Sequence, residues 1–542
     1  MIEENYIYEG LFNKIRNSRW ESSHKFFNSF SQYNITTGKF TAKYGGRISN
    51  NCGGVPLGIN TLTGNICVDS SDAHSLIIGS TGSKKSRLVV MPTIKILSDA
   101  SESMIISDPK AEIFNQLSHY LKQKHYKLYI INLRNPAEGD SWNPLALPYL
   151  FYKNGDLDKT CEFVNDIAIN LMLSERDHGD PFWDYSARDL FFGLTLLLFK
   201  YCKTQRCSEE NITISNLLKL RRTMFTEEGS VTNSSLWELA KKDEIIASSL
   251  IGTVMAPFKT QSSILSTFDE KMRIFVIQPN LVGMLSTNSI SLDEIGLWKS
   301  AIFLIMPDEK TSYHRLISVF IKQSYEYIIF KAQSMKNSRM KVRINYVLDE
   351  FSSLPAIKDF SAMITASRSR NIRFHLIIQS KNQLIARYKE DADTIFSNCM
   401  NWIFLTSREI PLLKDISLLC GEQRYKSEPL MPIAALQHLN KEKGEILVLS
   451  GRLYPYISRL LDIDKYLISK TYCTFEMKKR INKPASILEF DFIEDYLSQK
   501  NKSADCTQAN EENTYDEDNV SEIEKKLEAK FDELFGISEE NH

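Results

Sequence analysis

Eight consecutive residues, Gly79-Ser80-Thr81-Gly82-Ser83-Lys84-Lys85-Ser86, combine glycines, small hydroxyls and a lysine in an order suited to a bound anion. The apolar run Ser75-Leu76-Ile77-Ile78 precedes them, and Arg87 to Leu97 follows with helical character and Pro92 in its first turns. A strand leading into such a loop and a helix leading out is the context that phosphate binding requires. Backbone N–H groups from Gly79 to Ser86 would wrap the β-phosphate of ATP, Lys85 would reach the β and γ oxygens, and the Ser86 hydroxyl would ligate Mg²⁺. One position departs from the pattern. Lys84 stands where glycine is expected before the lysine, and a side chain held at positive φ costs roughly 1–2 kcal/mol. Nucleotide affinity or turnover is expected to suffer, and the alternative for the segment is a merely basic helix start, Arg87 included.

Two further strand ends carry groups that a phosphate site would use. Ile344-Asn345-Tyr346-Val347-Leu348 is an apolar run that ends in Asp349-Glu350. Asp349 would hold Mg²⁺ through water and Glu350 would polarise the attacking water as general base; a solvated strand end is the plainer alternative. Phe374-His375-Leu376-Ile377-Ile378 ends in Gln379-Ser380, and Gln379 would sense the γ-phosphate or the lytic water from an adjacent strand tip.

The elements that must position these residues follow an α/β rhythm. Met104 to Ser107 and Lys127 to Asn132 read as further strands. The rhythm returns at Ala301 to Ile305 and continues through Trp402 to Leu405 and Glu445 to Leu449. Between them, Phe163, Ile167 and Met172, then Leu190, Leu194, Leu197 and Leu198, repeat at helical spacing. The expected fold is α/β, a RecA-like P-loop NTPase domain with a parallel-rich central sheet interrupted by an all-alpha domain. The expected boundaries are 1–50 as an N-terminal lead-in, 51–156 and 269–485 as two parts of the nucleotide-binding domain, and 157–268 as the all-alpha domain. Residues 1–40 are aromatic-rich and expected to be helical early on, and glycines at 44–70 suggest a hairpin. Residues 486–542 form an acidic C-terminal helix, linker and tail, with Ile523, Leu527, Phe531, Leu534 and Phe535 at helical spacing.

Composition sets outer limits. The 542 residues are 43% hydrophobic and 25% charged, which is ordinary for a globular chain with a large core. The net charge of −1 conceals an acidic tail: residues 501–542 hold 13 Asp/Glu against 4 Lys/Arg, so they carry −9 and the body carries +8. Nine scattered cysteines without a CxxC pair read as reduced thiols and not as a zinc site or disulfide framework. His74, His314 and His375 lack partners at metal spacing and read as structural. No window reaches the roughly 18 apolar residues of a membrane span, and Leu190 to Phe199 reads as a buried helix.

Taken jointly, several motifs resemble the conjugative coupling ATPases of type IV secretion, the TraG-like family, over most of residues 53–465. They are Gly54-Val55-Pro56-Leu57-Gly58, the loop itself, Asp108-Pro109-Lys110-Ala111-Glu112, Trp142-Asn143-Pro144-Leu145, Asp180-Pro181-Phe182-Trp183 and Pro307-Asp308-Glu309-Lys310. Asp349 to Pro355, Ser367 to Ile372, Gln379-Ser380 and Gln383-Leu384 complete the set. The resemblance implies a homo-hexameric ring that uses ATP and Mg²⁺ to feed DNA, relaxase–DNA complexes or protein effectors into a type IV secretion channel. It implies an arginine supplied across the subunit interface, with Arg368 or Arg370 as candidates; ordinary surface arginines are the alternative. The family's glycines are replaced by Lys84 and Ala111, and its N-terminal transmembrane hairpin is not found here. The expected location is therefore the cytoplasm, at the cytoplasmic face of the membrane through a partner protein. The rival expectation is a degenerate P-loop adaptor that recruits substrate without efficient hydrolysis.

Overall fold

The computed structural model describes residues 18–41, 52–173, 180–225, 231, 234–307, 309, 313–423, 426–451, 453–467, 477–480 and 486–490. Of the expected C-terminal helix only 486–490 are described, and they take no helical form; the helical spacing at 523–535 lies outside the described residues, as do Asp308 and Lys310.

Alternating and continuous apolar runs produce two sheets. A small antiparallel sheet has the order β2-β1-β4-β3, from β1 (Ser31–Asn34), β2 (Lys39–Thr41), β3 (Val55–Ile59) and β4 (Ile66–Asp69). The central sheet uses β5 (His74–Gly79), β6 (Ser103–Asp108), β7 (Lys127–Asn132), β8 (Ser300–Ile305), β9 (Ile344–Leu348), β10 (Ile372–Ile378), β11 (Cys399–Thr406), β12 (Glu445–Ser450) and β13 (Tyr456–Arg459). Its order is β13-β12-β11-β5-β10-β9-β6-β8-β7. Every pairing from β11 to β7 is parallel, and β12 and β13 add an antiparallel edge. β5, β6, β8, β9 and β10 are buried along their whole lengths, as parallel strands covered on both faces must be.

The eight strands expected for this sheet are all present, and β13 is an addition. Tyr456-Ile457-Ser458-Arg459 buries only Ser458 fully, so its edge position leaves little hydrophobic pattern to read. Near the start, the described residues form only a short helix, Ser23–Asn28, before β1 and β2. The helix after the phosphate-type loop begins with a widened turn, Ser86–Val90, in which the Met91 N–H reaches back five residues to the Ser86 carbonyl. Pro92 has no N–H to donate, and the wide turn accommodates that gap before the regular helix Met91–Asp99 continues.

Between β7 and β8 the described residues from Ala146 to Met284 contain helices and no strand, a longer run than the 157–268 marked by periodicity. Leu190 to Phe199 lies in the helix Pro181–Thr204, whose start is capped by the Asp180 side chain accepting the Phe182 N–H at 3.0 Å. Trp142-Asn143-Pro144-Leu145 is the joint to the sheet. Gln323, on the helix His314–Gln333, accepts from Trp142 Nε1 at 3.1 Å and donates to the Pro144 carbonyl at 2.8 Å. Asn143 Nδ2 donates to the Ile212 carbonyl at 2.6 Å within the helical run.

At the amino edge of the central sheet, Arg373 is 1% exposed and meets Glu102 at 2.8 Å. Its guanidinium also donates to Asn345 Oδ1 and to the carbonyls of Gly53, Asp69 and Ser71, so a buried charge is matched donor for donor. Gly53 and Asp69 belong to the small-sheet segment, which this network fastens to the large one. Gly54 has a packing reason, since a Cβ there would lie 1.8 Å from the Asp69 carbonyl oxygen. One at Gly58 would lie 1.8 Å from Ser458 Oγ of β13.

The histidines behave as structural groups. His74 Nε2 donates to the Ile364 carbonyl at 2.8 Å and its Nδ1 accepts the Phe374 N–H at 3.0 Å. Burial pushes His74 down to about 3 from the usual 6.5 and also pushes His375 well below its usual value. Between those pH values the unfolded chain binds protons that the native state refuses, so stability is complete above about pH 6.5 and is lost as the pH falls toward 3. Denaturant unfolding at pH 7.5 and pH 5.5 is expected to show a lower midpoint at pH 5.5, with His74 contributing up to about 1.4 kcal/mol per pH unit.

Candidate functional site

Parallel pairing aligns Ile78 of β5 with Ile378 of β10, and Leu376 of β10 with Leu348 of β9. The next residues along each strand are Gly79, Gln379 and Asp349-Glu350, so three segments far apart in sequence emerge at one edge of the sheet. This is the carboxyl edge, where ligands of parallel α/β sheets bind.

The side chains meet there. Gln379 Nε2 donates to Glu350 Oε1 at 2.5 Å, and Gln379 Oε1 accepts from Thr81 Oγ1 at 2.7 Å. Gln379 thus links the loop to the second carboxylate and leaves that carboxylate one oxygen for other work. Lys85 is buried, donates from Nζ to the Gly79 carbonyl at 2.6 Å, and faces Asp349 and Glu350 electrostatically. Burial lowers its pKa, opposed by those two carboxylates. Asp349 is pushed up to about 7 by burial and then by Glu350, with Lys85 pulling the other way. Asp108, at the tip of β6, is pushed up to about 6 by burial and accepts the Phe114 N–H at 2.8 Å. A buried ammonium facing two carboxylates at the mouth of the loop is an arrangement that a multivalent anion would complete.

The loop has room and donors for phosphate. Ser83 Oγ is buried without a hydrogen-bond partner. Gly79 admits no side chain, because a Cβ would lie 2.5 Å from Ser83 Oγ and 2.9 Å from Lys85 Cγ. Gly82 takes φ +76°, and Lys84 takes φ +65° without being glycine. Ala111 and Glu350 share that left-handed conformation at φ +57° and +54°, so Lys84 and Ala111, which replace the family's glycines, are under the strain that glycine would avoid. An open cleft of ≈1080 Å³ beside the loop is lined by Ser80 to Ser83, Gln379, Gln383, Thr406, Arg408 and the segment Gln437 to Lys441.

The expected site residues fall into three groups. Gly79, Ser80, Thr81, Gly82, Ser83, Lys85, Ser86, Asp349, Glu350 and Gln379 converge. Lys84 and Arg87 belong to the same segment, but their charged ends are taken up elsewhere: Lys84 Nζ meets Glu442 at 2.5 Å, and Arg87 meets Asp462 at 2.5 Å and Asp464 at 2.7 Å. Arg368 and Arg370 sit before β10, at the opposite edge from Gln379. A seven-residue strand separates them from this chain's own loop by roughly 23 Å at 3.3 Å per residue. Arg370 donates to the Ser338 carbonyl at 3.1 Å, and Arg368 is exposed. The sequence reading did not anticipate Glu442, Asp462 and Asp464, which carry no local motif and lie more than 350 residues from their partners.

Residues 23–430 match the model of the type IV secretory system conjugative DNA transfer family. The chain belongs to that family. Membership brings a coupling-protein role in conjugative DNA transfer and a P-loop NTPase domain. No curated protein matches the chain by sequence. Among solved structures, the plasmid coupling protein TrwB with the ATP analogue ADPNP is similar at TM-score 0.54 and 16% identity, over 87% of this chain and 96% of that one. TrwB with ADP and Mg²⁺ gives TM-score 0.56 and 16% identity over the same shares. Likeness at that identity is a likeness of fold: a mostly parallel α/β sheet with helical parts. No helix among the described residues is long and apolar enough to cross a membrane, and the described residues hold no His/Cys/Asp/Glu cluster suited to a metal ion. The described cysteines are free thiols.

A Gly79→Ala substitution is expected to weaken nucleotide binding by tenfold or more, about 1.4 kcal/mol, by displacing Ser83 and Lys85 from the loop. Titration with a fluorescent ATP analogue checks this, and circular dichroism is expected to remain unchanged.

Proposed function

We propose that the chain is an ATP-hydrolysing coupling motor that recruits DNA, relaxase–DNA complex or protein effectors and drives them into a type IV secretion channel. The observation that carries the reading is the hydrogen-bonded chain Thr81–Gln379–Glu350 beside buried Lys85 and Asp349. A polyphosphate seated in the loop would accept from its backbone N–H groups and from Lys85. The Ser86 hydroxyl and the Asp349 carboxylate would hold Mg²⁺, which neutralises developing charge on the β and γ oxygens when bound. Glu350 would take the proton of the attacking water, with Gln379 fixing its orientation and reporting the state of the loop through Thr81.

In this reading residues 51–156 and 269–485 form the motor domain, and 157–268 form the cargo-selecting helical domain. Residues 1–50 are a lead-in and 486–542 an acidic tail for partner recruitment. The working state is a homo-hexameric ring at the cytoplasmic face of the membrane, held there by a partner protein. Arg368 or Arg370, remote from this chain's own loop, would serve the site of a neighbouring subunit. Arg221, part of the basic run Lys219 to Arg222, pairs with Asp269 at 2.6 Å, which favours a structural role over contact with DNA.

One observation favours a second reading, that of an adaptor with little hydrolysis: Lys84 holds φ +65° where glycine would be unstrained. DNA-stimulated phosphate release by the purified protein separates the two. The motor reading expects ATPase activity that rises with DNA and falls at least about a hundredfold in Glu350→Gln, with nucleotide binding retained. Activity at the level of Glu350→Gln in the unsubstituted protein would leave the adaptor.

A further inference from the structure

Two cations of the phosphate-loop segment are tied to the same distant part of the chain. Lys84 meets Glu442 on the tight turn that enters β12, and Arg87 meets Asp462 and Asp464 on the turn that follows β13. The turn bearing Glu442 is closed on itself. Asn440 Oδ1 accepts the N–H groups of Glu442 and Lys443 at 3.0 and 3.1 Å, the Glu445 N–H donates to the Asn440 carbonyl at 2.9 Å, and Gly444 supplies φ +66°. The second turn is capped by Asp462, which accepts the Asp464 N–H at 3.2 Å while Arg87 donates to both of its oxygens. Each carboxylate is therefore presented by a small rigid turn and not by a loose loop. All three lie beyond residue 430, where the family match ends. The loop that departs from the glycine pattern is thus held by residues more than 350 positions away along the chain.

We propose that Glu442 is a positioning residue for nucleotide binding. Its ion pair draws the Lys84 side chain toward the β12 turn and holds residue 84 in the left-handed conformation that glycine would otherwise supply. The Arg87 pairs fix the following wide turn in the same frame. The geometry favours this role over simple surface pairing in two ways. The pair acts on a residue whose backbone is strained, and the Leu88 N–H donates to the Lys84 carbonyl at 2.8 Å, so residue 84 is gripped at its carbonyl and at its side chain. With the side chain held by Glu442, the loop keeps its backbone N–H groups and Lys85 for phosphate. This inference rests on the nucleotide reading of the loop.

The test is a double-mutant cycle on the full chain, read as affinity for a fluorescent ATP analogue with Mg²⁺, with thermal melting alongside. Glu442→Gln is expected to weaken binding about threefold to fivefold in the Lys84 protein and to change it less than about 1.5-fold in the Lys84→Gly background, where no lysine remains to be held. Glu442→Ala is expected to repeat the pattern, and the melting temperature is expected to move little because Glu442 is exposed. Equal effects in both backgrounds, no effect in the Lys84 protein, or tighter binding on loss of Glu442 would each overturn the proposal. Failure of the underlying reading looks different: the unsubstituted protein would not bind the analogue above the level of Lys85→Ala, and the positioning role would fall with it.

Discussion

The shared direction of β9, β10, β5 and β11 is the constraint on which the molecule depends. A parallel ladder points the carboxyl ends of neighbouring strands the same way, and the observed register sets Ile378 opposite Ile78 and Leu376 opposite Leu348. Gly79, Asp349-Glu350 and Gln379 then have to meet, although 270 or more residues separate the first from the others. Every other large feature respects that edge. Crossover helices cover the faces of the sheet, and the long helical run between β7 and β8 leaves from the side of the sheet remote from β5.

Three residues at the same edge hold strained backbone. Lys84, Ala111 and Glu350 are non-glycine residues at positive φ, and they flank β5, β6 and β9 where those strands end. Strain of this kind persists only where surrounding contacts over-determine the conformation. Glu350 is held by Gln379, the residue after Ala111 begins a helix anchored through Asp108, and Lys84 is held by Glu442. At the opposite edge Arg373 and Glu102 are buried and matched, and they join the two sheets beside Asn371 and Ser101, which also take positive φ.

Motifs at the carboxyl edge carry chemical groups, and motifs elsewhere carry packing. Gly54 to Gly58 and Trp142 to Leu145 belong to the family resemblance as the loop does, yet the structure gives them packing and joining duties. Asp349, Glu350 and Gln379 could be read as chemical groups because polar residues directly after apolar strands are costly to bury without a purpose. Five strands of the central sheet, β5, β6, β8, β9 and β10, were legible for a related reason, since strands covered on both faces are written as continuous apolar runs. β13 was not legible, because an edge strand needs little apolar surface.

The sequence by itself determined the strand-loop-helix around Gly79, the acidic tip at Asp349-Glu350, the α/β class and the family, because each is encoded in short-range order. Only the tertiary structure decided that Gln379 bonds both Thr81 and Glu350, that Lys84 and Arg87 turn to Glu442, Asp462 and Asp464, and that Arg368 and Arg370 stand at the far edge of the sheet. The physical reason is range. Hydrophobic period and backbone preference act over a few residues, whereas which charge meets which is fixed by strand order and register, and those are properties of the assembled sheet.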